Sequence, residues 1–290
     1  MKNSKGIITA LMTPFDKEDR VNYKELERLV KFNLDMGVSG FYVCGSTGEA
    51  FMLTRDERME IMRCVKDCAG DAYLIAHIGA LDQRDSKALG REAKAISYDL
   101  VSSVAPFYFK FSPDEIKEHY FTLANESELP MLVYHIPALS GVNMGKDDMG
   151  AFLSDDRFAG IKFTSNDFFL LERCKSAYPD KVIYNGYDEM FLSGLIMGAD
   201  GAIGSTYNFM GDKFVKIQEL FKKGENAKAL EIQREANEII AVLCKIGVIK
   251  AQKEVMKLMG FDLGFCRAPF GKVSDADIEL IKTDIMKYLA

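Results

Sequence analysis

The sequence predicts an α/β fold, a closed (β/α)8 or TIM barrel with a C-terminal three-helix extension, and three observations carry that expectation. Short β-branched or aromatic runs alternate with longer amphipathic stretches up to about residue 225, the pattern of repeated βα units and a parallel sheet. Eight such alternations occur, which favours a closed barrel over an open sheet. From Asn226 onward the strand pattern stops and three further helical stretches follow.

The strand candidates are residues 6–13, 40–45, 73–79, 100–106, 131–136, 158–162, 182–185 and 201–204. Each is short and largely apolar, as a strand covered on both faces must be. Helix candidates lie between them at 23–36, 54–68, 83–99, 112–125, 146–154, 167–177, 189–197 and 212–223. In the first of these, Leu26, Leu29, Val30, Asn33 and Leu34 follow helical spacing, with charges on the opposite face. Thr54 precedes Glu57 at capping-box spacing, and Ser112 precedes Pro113 and Glu115, so both mark helix starts. The extension reads as helices over 227–243, 247–259 and 275–289. Gly224 is the seam, with residues 1–224 expected as the barrel and 225–290 as the extension packed on it. No Pro, Gly or Ser enrichment there suggests an independently mobile unit.

A chain of 290 residues with 48% apolar content has enough length for one barrel of roughly 250 residues and enough apolar surface for its core. The formal net charge is -6 and no block of Lys or Arg forms a basic patch, which argues against nucleic acid as a partner. No apolar run reaches the roughly 18 residues of a membrane span, and Met1-Lys2-Asn3-Ser4-Lys5 lacks the apolar segment of a signal peptide. A cytoplasmic location is therefore expected. Six cysteines (Cys44, Cys64, Cys68, Cys174, Cys244 and Cys266) show no CxxC pair and no clustering with His77, His119 or His135. They are expected to be buried free thiols rather than zinc ligands or a redox dithiol.

In a barrel of this kind the active site is built at the C-terminal ends of the strands, so chemistry is sought where each apolar run stops. Lys162 follows Phe158-Ala159-Gly160-Ile161 directly. Desolvation there would lower its pKa and free the amine as a nucleophile; alternatively, its stem carries the charge out to solvent or to a carboxylate. Tyr134 ends Met131-Leu132-Val133 and is either a proton shuttle or a core tyrosine with one satisfied hydrogen bond. The turn Gly45-Ser46-Thr47-Gly48 offers N–H groups and two hydroxyls to a carboxylate or phosphate, yet it lacks the P-loop spacing and ending. Gly198, Gly201 and Gly204 fail the dinucleotide fingerprint, so no nicotinamide cofactor is expected. Asp188 and Glu189 are polyol acceptors or caps of the helix that follows them. His77 and His135, without metal-ligand spacing, read as satisfied structural histidines.

Gly45-Ser46-Thr47-Gly48-Glu49, Tyr134 followed by Ile136-Pro137, and Gly160-Ile161-Lys162 resemble, in order and spacing, the pyruvate-dependent class I aldolase family that contains N-acetylneuraminate lyase and dihydrodipicolinate synthase. The likeness spans the barrel. Residues 136–142, Asn185-Gly186-Tyr187-Asp188-Glu189 and Gly204-Ser205-Thr206-Tyr207-Asn208 resemble the neuraminate lyase branch. Leu139 stands where the synthases carry an arginine for a second carboxylate, and leucine cannot make that pair.

The resemblance implies a Schiff base on Lys162, proton handling by Tyr134 at the substrate's 4-hydroxyl, and capture of the pyruvyl carboxylate by Ser46 and Thr47. It also implies that Thr164, Gly186, Asp188, Glu189 and Ser205 bind the sugar tail, and that Tyr108 reaches into a neighbouring subunit's relay in a homotetramer. The implied small molecules are N-acetylneuraminate, pyruvate and N-acetylmannosamine, with no metal or organic cofactor. Ala105, Lys110 and His135 depart from the usual pattern, where threonine, proline and asparagine are common. Another pyruvate aldolase and a non-catalytic pyruvate or sialic acid sensor are the rival readings.

Overall fold

The computed structural model describes residues 4–289, so Met1, Lys2, Asn3 and Ala290, at the outer ends of the expected barrel and extension, lie outside the described residues. Eight strands, β1 (Ile7–Ala10), β2 (Gly40–Val43), β3 (Tyr73–His77), β4 (Leu100–Val104), β5 (Met131–His135), β6 (Phe158–Phe163), β7 (Val182–Asn185) and β8 (Gly201–Gly204), close into a barrel in sequence order. Neighbouring strands are parallel and β8 pairs back on β1. The (β/α)8 expectation holds.

Alternation along each strand divides the core in two. Ile8, Ala10, Tyr42, Ile75, Leu132, Tyr134, Tyr184 and Ile203 fill the barrel interior, whereas Phe41, Val43, Leu74, Val133, Ile161 and Ile183 face the surrounding helices. Those helices are α1 (Tyr23–Asp35), α2 (Arg55–Cys68), α3 (Gln83–Ala95), α4 (Pro113–Ser127), α5 (Pro137–Ser140), α6 (Lys146–Leu153), α7 (Phe168–Ala177), α8 (Phe191–Ile196) and α9 (Tyr207–Lys222). Both expected capping boxes form, Thr54 with Glu57 and Ser112 with Glu115.

Strand and helix ends differ from the sequence reading where single residues take left-handed backbone. Cys44, at φ +57°, stops β2, and Ser97, at φ +60°, lies just beyond α3, which ends at Ala95 rather than Asp99. α9 begins at Tyr207, five residues before the expected start, and bends at Met210 (φ -141°, ψ 36°). The four-residue α5 is absent from the sequence reading.

Beyond the turn at Gly224 (φ +75°) come α10 (Asn226–Ile246) and α11 (Val248–Leu258), and α10 packs along α8 and α9. The stretch expected as one helix over 275–289 is α12 (Asp275–Leu280), then a π turn at Ile281–Ile285 and a 3-10 turn at Met286–Tyr288. The cysteines are free, but only Cys44 and Cys174 are buried; Cys64, Cys68 and Cys266 are half-buried and Cys244 is exposed. The expectation of six buried thiols is thus corrected, because α2 and α10 turn Cys64, Cys68 and Cys244 partly or fully toward solvent and Cys266 lies in the irregular segment after α11.

One irregularity aims the site. Met131 pairs with Phe158 but Leu132 pairs with Gly160, so β6 carries one extra residue, a β-bulge. After the bulge Lys162 lies opposite Tyr134 on one side and Tyr184 on the other, all in register toward the interior. Gly160 is required there, since a Cβ would meet the Val182 carbonyl oxygen at 1.8 Å. Gly160→Ala is expected to destabilise the fold by about 1–3 kcal/mol or more, because a strand backbone must move. Gly271→Ala, with nothing within 4 Å, is expected to stay within about 0.5 kcal/mol of wild type in urea unfolding.

Candidate active site

Lys162 is 4% exposed, and its Nζ stands 4.2 Å from the ring centroid of Tyr42 and 4.0 Å from that of Tyr134. Two aromatic faces attract an ammonium but supply no hydrogen-bond acceptor, so they only partly replace lost water. Burial pushes the Lys162 pKa down to about 7, opposed by the negative charge of Asp188. Of the two readings open from the sequence, the desolvated amine is the one observed. Nothing in its burial allows the stem to carry the charge to solvent.

Tyr134 is itself buried, and burial pushes its phenol up to about 12 against a hydrogen bond with Ser46. Thr164 leans toward the same phenol, yet its Oγ1 has no fully formed partner and remains available to a ligand. Tyr42 donates to Ser102 Oγ at 3.0 Å, which fixes the other face of the lysine sandwich. His77 lies behind these rings with Nδ1 2.9 Å from the Cys44 carbonyl and Nε2 3.3 Å from the Val104 N–H, so it is structural as expected. His135 is not satisfied as expected: it is buried beside Phe163 with no partner on either ring nitrogen, and burial lowers its pKa to about 4.

Ser46 begins a single 3-10 turn, Ser46–Gly48, closed by the Gly48 N–H to the Gly45 carbonyl at 3.0 Å. Glu49 ends it in left-handed conformation, φ +58°. The Glu49 carboxylate is buried, with Oε1 2.7 Å from Lys253 Nζ and Oε2 accepting from the Arg267 N–H at 2.8 Å. Thr13 Oγ1 donates to the Gly48 carbonyl at 2.7 Å. The turn is therefore held from the loop after β1 and from the C-terminal segment.

Asp188 caps neither the turn it opens nor α8. Its Oδ2 accepts from the Thr206 N–H at 2.9 Å and from Thr206 Oγ1 at 2.7 Å, which ties β7 to the start of α9. Its Oδ1 is buried without a partner. Burial raises the Asp188 pKa to about 6, while the Thr206 hydrogen bonds and the Lys162 charge pull the other way. Glu189 is half-buried. Ser205 Oγ takes a 2.9 Å hydrogen bond from Gln252 of α11.

Ser46, Thr47, Tyr134, Lys162, Thr164, Gly186, Asp188, Glu189 and Ser205 line one cavity of about 510 Å³ at the C-terminal mouth of the barrel. Nine of the ten residues singled out from sequence are brought together there. Tyr108 is apart from them, 85% exposed with left-handed φ of +80°, in a groove with Leu81, Phe109 and Phe111. The sequence reading missed Tyr42, Thr206, Gln252 and Lys253. A polar Gln-Lys pair inside an otherwise apolar helical stripe was the available signal for the last two. Among the described residues no three His, Cys, Asp or Glu side chains are grouped so as to hold a metal ion.

The sequence model of the dihydrodipicolinate synthetase family matches residues 3–287. The chain belongs to this family. Among its relatives, an N-acetylneuraminate lyase of Fusobacterium nucleatum is 41% identical over 287 residues, covering 98% of this chain and 99% of the relative. One of Haemophilus influenzae is 43% identical over 293 residues and covers both chains fully. Solved structures agree: CdNal from Clostridium difficile in complex with mannosamine matches with a TM-score of 0.95 at 38% identity, over 99% of both chains. The Fusobacterium nucleatum N-acetylneuraminate lyase complexed with pyruvate matches with a TM-score of 0.94 at 39% identity, over 100% of this chain and 99% of that one.

Reductive methylation should titrate Lys162 as an amine of pKa about 7, well below the ordinary lysine value of about 10.4. Because Asp188 holds that pKa up, Asp188→Asn is expected to move the Lys162 inflection toward lower pH. An unchanged inflection in the folded variant would show that the two charges do not communicate.

Proposed function

We propose that the chain is a class I aldolase that cleaves N-acetylneuraminate reversibly to pyruvate and N-acetylmannosamine through a Schiff base on Lys162. The observation that carries it is a lysine amine buried between two tyrosine rings at the base of a cavity large enough for a sugar acid, where burial pushes its pKa down. Full-length relatives at 41% and 43% identity bearing the lyase name support the choice of substrate. Leu139 on the cavity wall supports it further, since an apolar side chain there gives no counter-charge to a second carboxylate.

In this reading Ser46 and Thr47 hold the substrate carboxylate while neutral Lys162 attacks the C2 ketone. The resulting carbinolamine loses its hydroxyl, which takes the Tyr134 proton and leaves as water. An iminium cation and a phenolate remain. The phenolate is stabilised by the new fixed cation beside it, which offsets the burial that otherwise raises its pKa to about 12. It then accepts the 4-hydroxyl proton, the C3–C4 bond breaks, and the electron pair moves into the imine to give an enamine. Tyr134 returns the proton to C3, and water hydrolyses the imine to pyruvate and free Lys162. Thr164, Gly186, Asp188, Glu189 and Ser205 bind the sugar tail.

Tyr108 belongs to the same proposal. Its exposure and left-handed backbone beside exposed Phe109 and Leu81 support insertion toward a neighbouring copy in a homotetramer, since a contiguous aromatic surface of this kind favours a protein partner. Residues 1–224 act as the catalytic barrel and 225–290 as its packed extension. A cytoplasmic location accords with the reading; no helix among the described residues is long and apolar enough to cross a membrane.

Borohydride added with pyruvate is expected to inactivate the protein irreversibly and leave the reduced pyruvyl group on Lys162, with no labelling in Lys162→Ala. Tyr134→Phe should keep slow labelling and lose about 10²- to 10⁴-fold of pyruvate release from N-acetylneuraminate in a lactate-dehydrogenase-coupled assay. Label on another lysine, such as Lys110 or Lys250, would overturn the site.

Glu189→Ala is expected to weaken sugar binding by about 1–3 kcal/mol and leave pyruvate trapping intact. Equal loss of both would assign Glu189 to holding up the fold.

A further inference from the structure

α11 buries three consecutive polar residues, Gln252, Lys253 and Glu254, flanked by Ala251 and by Val255 and Met256. Burial of such groups is unfavourable unless each is paired, so their partners indicate what the helix holds. Successive helical residues point about 100° apart, and these two neighbours reach different loops of the barrel mouth. Gln252, fully buried, donates from Nε2 to Ser205 Oγ at 2.9 Å, on the loop after β8. Lys253 Nζ lies 2.7 Å from Glu49 Oε1, with 3% and 0% side-chain exposure, at the end of the Ser46–Gly48 turn after β2.

The Lys253 ammonium also donates to the Phe265 carbonyl at 3.1 Å and stands 4.3 Å over the Phe15 ring, so its position is fixed from several sides. Glu49 needs that partner: its carboxylate is buried, where an unpaired charge would be strongly unfavourable. Upstream on the same helix, Val248, Ile249 and Lys250 line the cavity wall. One rigid element therefore touches the cavity and grips two of the turns that line it.

We propose that α11 is a positioning strut: Lys253, through its buried ion pair with Glu49, sets the Ser46–Thr47 turn, and Gln252, through Ser205, sets the hydroxyl on the sugar side, so one helix registers the two halves of the substrate. Gln252 and Lys253 act through other residues and touch no reacting atom. Accepting from Gln252 leaves the Ser205 proton free, which makes Ser205 a donor toward the cavity. The inference rests on the aldolase reading and deepens it, since it assigns the two ends of the substrate to two adjacent residues.

The test is a crossed comparison in the full-length protein. Pyruvate half-saturation is read from borohydride trapping, the KM for N-acetylmannosamine from the synthesis direction, and folding from thermal unfolding. Glu49→Gln and Lys253→Met are expected to raise half-saturating pyruvate by on the order of 10- to 100-fold, the scale of a displacement of about 1 Å, and to leave the N-acetylmannosamine KM near wild type. Gln252→Leu is expected to do the converse. Lys253→Arg, which keeps the charge pair, should recover part of the pyruvate effect. Glu49→Gln keeps the side-chain size and one of the two acceptor oxygens but removes the charge that pairs with the ammonium, so it reads the same coupling if Lys253→Met does not fold. Folded variants with both constants unchanged, or with both rising together alongside a falling Tm, would overturn the strut. A wild-type protein that pyruvate and borohydride fail to label would instead overturn the aldolase reading and the strut with it.

Discussion

Removing a lysine ammonium from water is the constraint around which the barrel mouth is arranged. Lys162 has its folded pKa near 7 and an unfolded value near 10.5, so between those two pH values the unfolded chain binds the extra proton. Stability therefore rises with pH across that window, and the penalty is complete below pH 7, where it reaches about 5 kcal/mol. That is comparable to the whole net stability of many domains, about 5–15 kcal/mol. A barrel with two large apolar layers, one inside the strands and one between strands and helices, can offset such a cost.

The groups around Lys162 balance opposing demands. A carboxylate in direct contact would restore the ammonium and remove the nucleophile. Asp188 is kept from that extreme because Thr206 takes one oxygen with two hydrogen bonds, and burial itself weakens its hold on charge. The tyrosine rings hold the amine in place without accepting its protons. Tyr134, whose phenol is pushed up to about 12, is a poor acid until a cation forms beside it. In the proposed mechanism, the cation that appears as the imine forms is what lets the phenol give up its proton, which would order the steps without a moving part.

Much of this was legible along the sequence because it is local. Strand ends declare themselves where an apolar run stops, and Lys162, Tyr134 and the Ser46–Thr47 turn all sit at such ends. Period-two alternation hides Tyr42 among Gly40–Val43, since a strand buried on both faces shows no polar alternation to mark its inner residue. The β6 bulge is equally silent: it shows only in the pairing of β5 with β6, and the need for glycine at 160 only in the close approach of the Val182 carbonyl from β7. Helix ends slipped where single residues such as Ser97 adopt left-handed backbone that their side chains do not advertise. The Asp188–Thr206 and Glu49–Lys253 pairs span 18 and 204 positions, and no window along the chain contains the second.

The extension follows from the same electrostatic requirement. Eight strands end in loops, and a barrel mouth left open would let water solvate Lys162 and return its pKa toward 10.5. Ile240, Leu243, Val248 and Ile249, from α10 and α11, form an apolar wall on the cavity. They lower the local dielectric without offering acceptors to the amine. A wall this close must be held rigidly, and the same two helices carry the polar residues that hold it: Gln233 donates to the Asp188 carbonyl at 3.1 Å, Asn237 to the Glu189 carbonyl at 3.1 Å, and Gln252 to Ser205. These donors fix the loops from outside while the apolar faces exclude water from inside. The C-terminal helices are on this argument part of the chemistry of Lys162, because the low pKa of the amine depends on a surface that the eight strands alone do not supply.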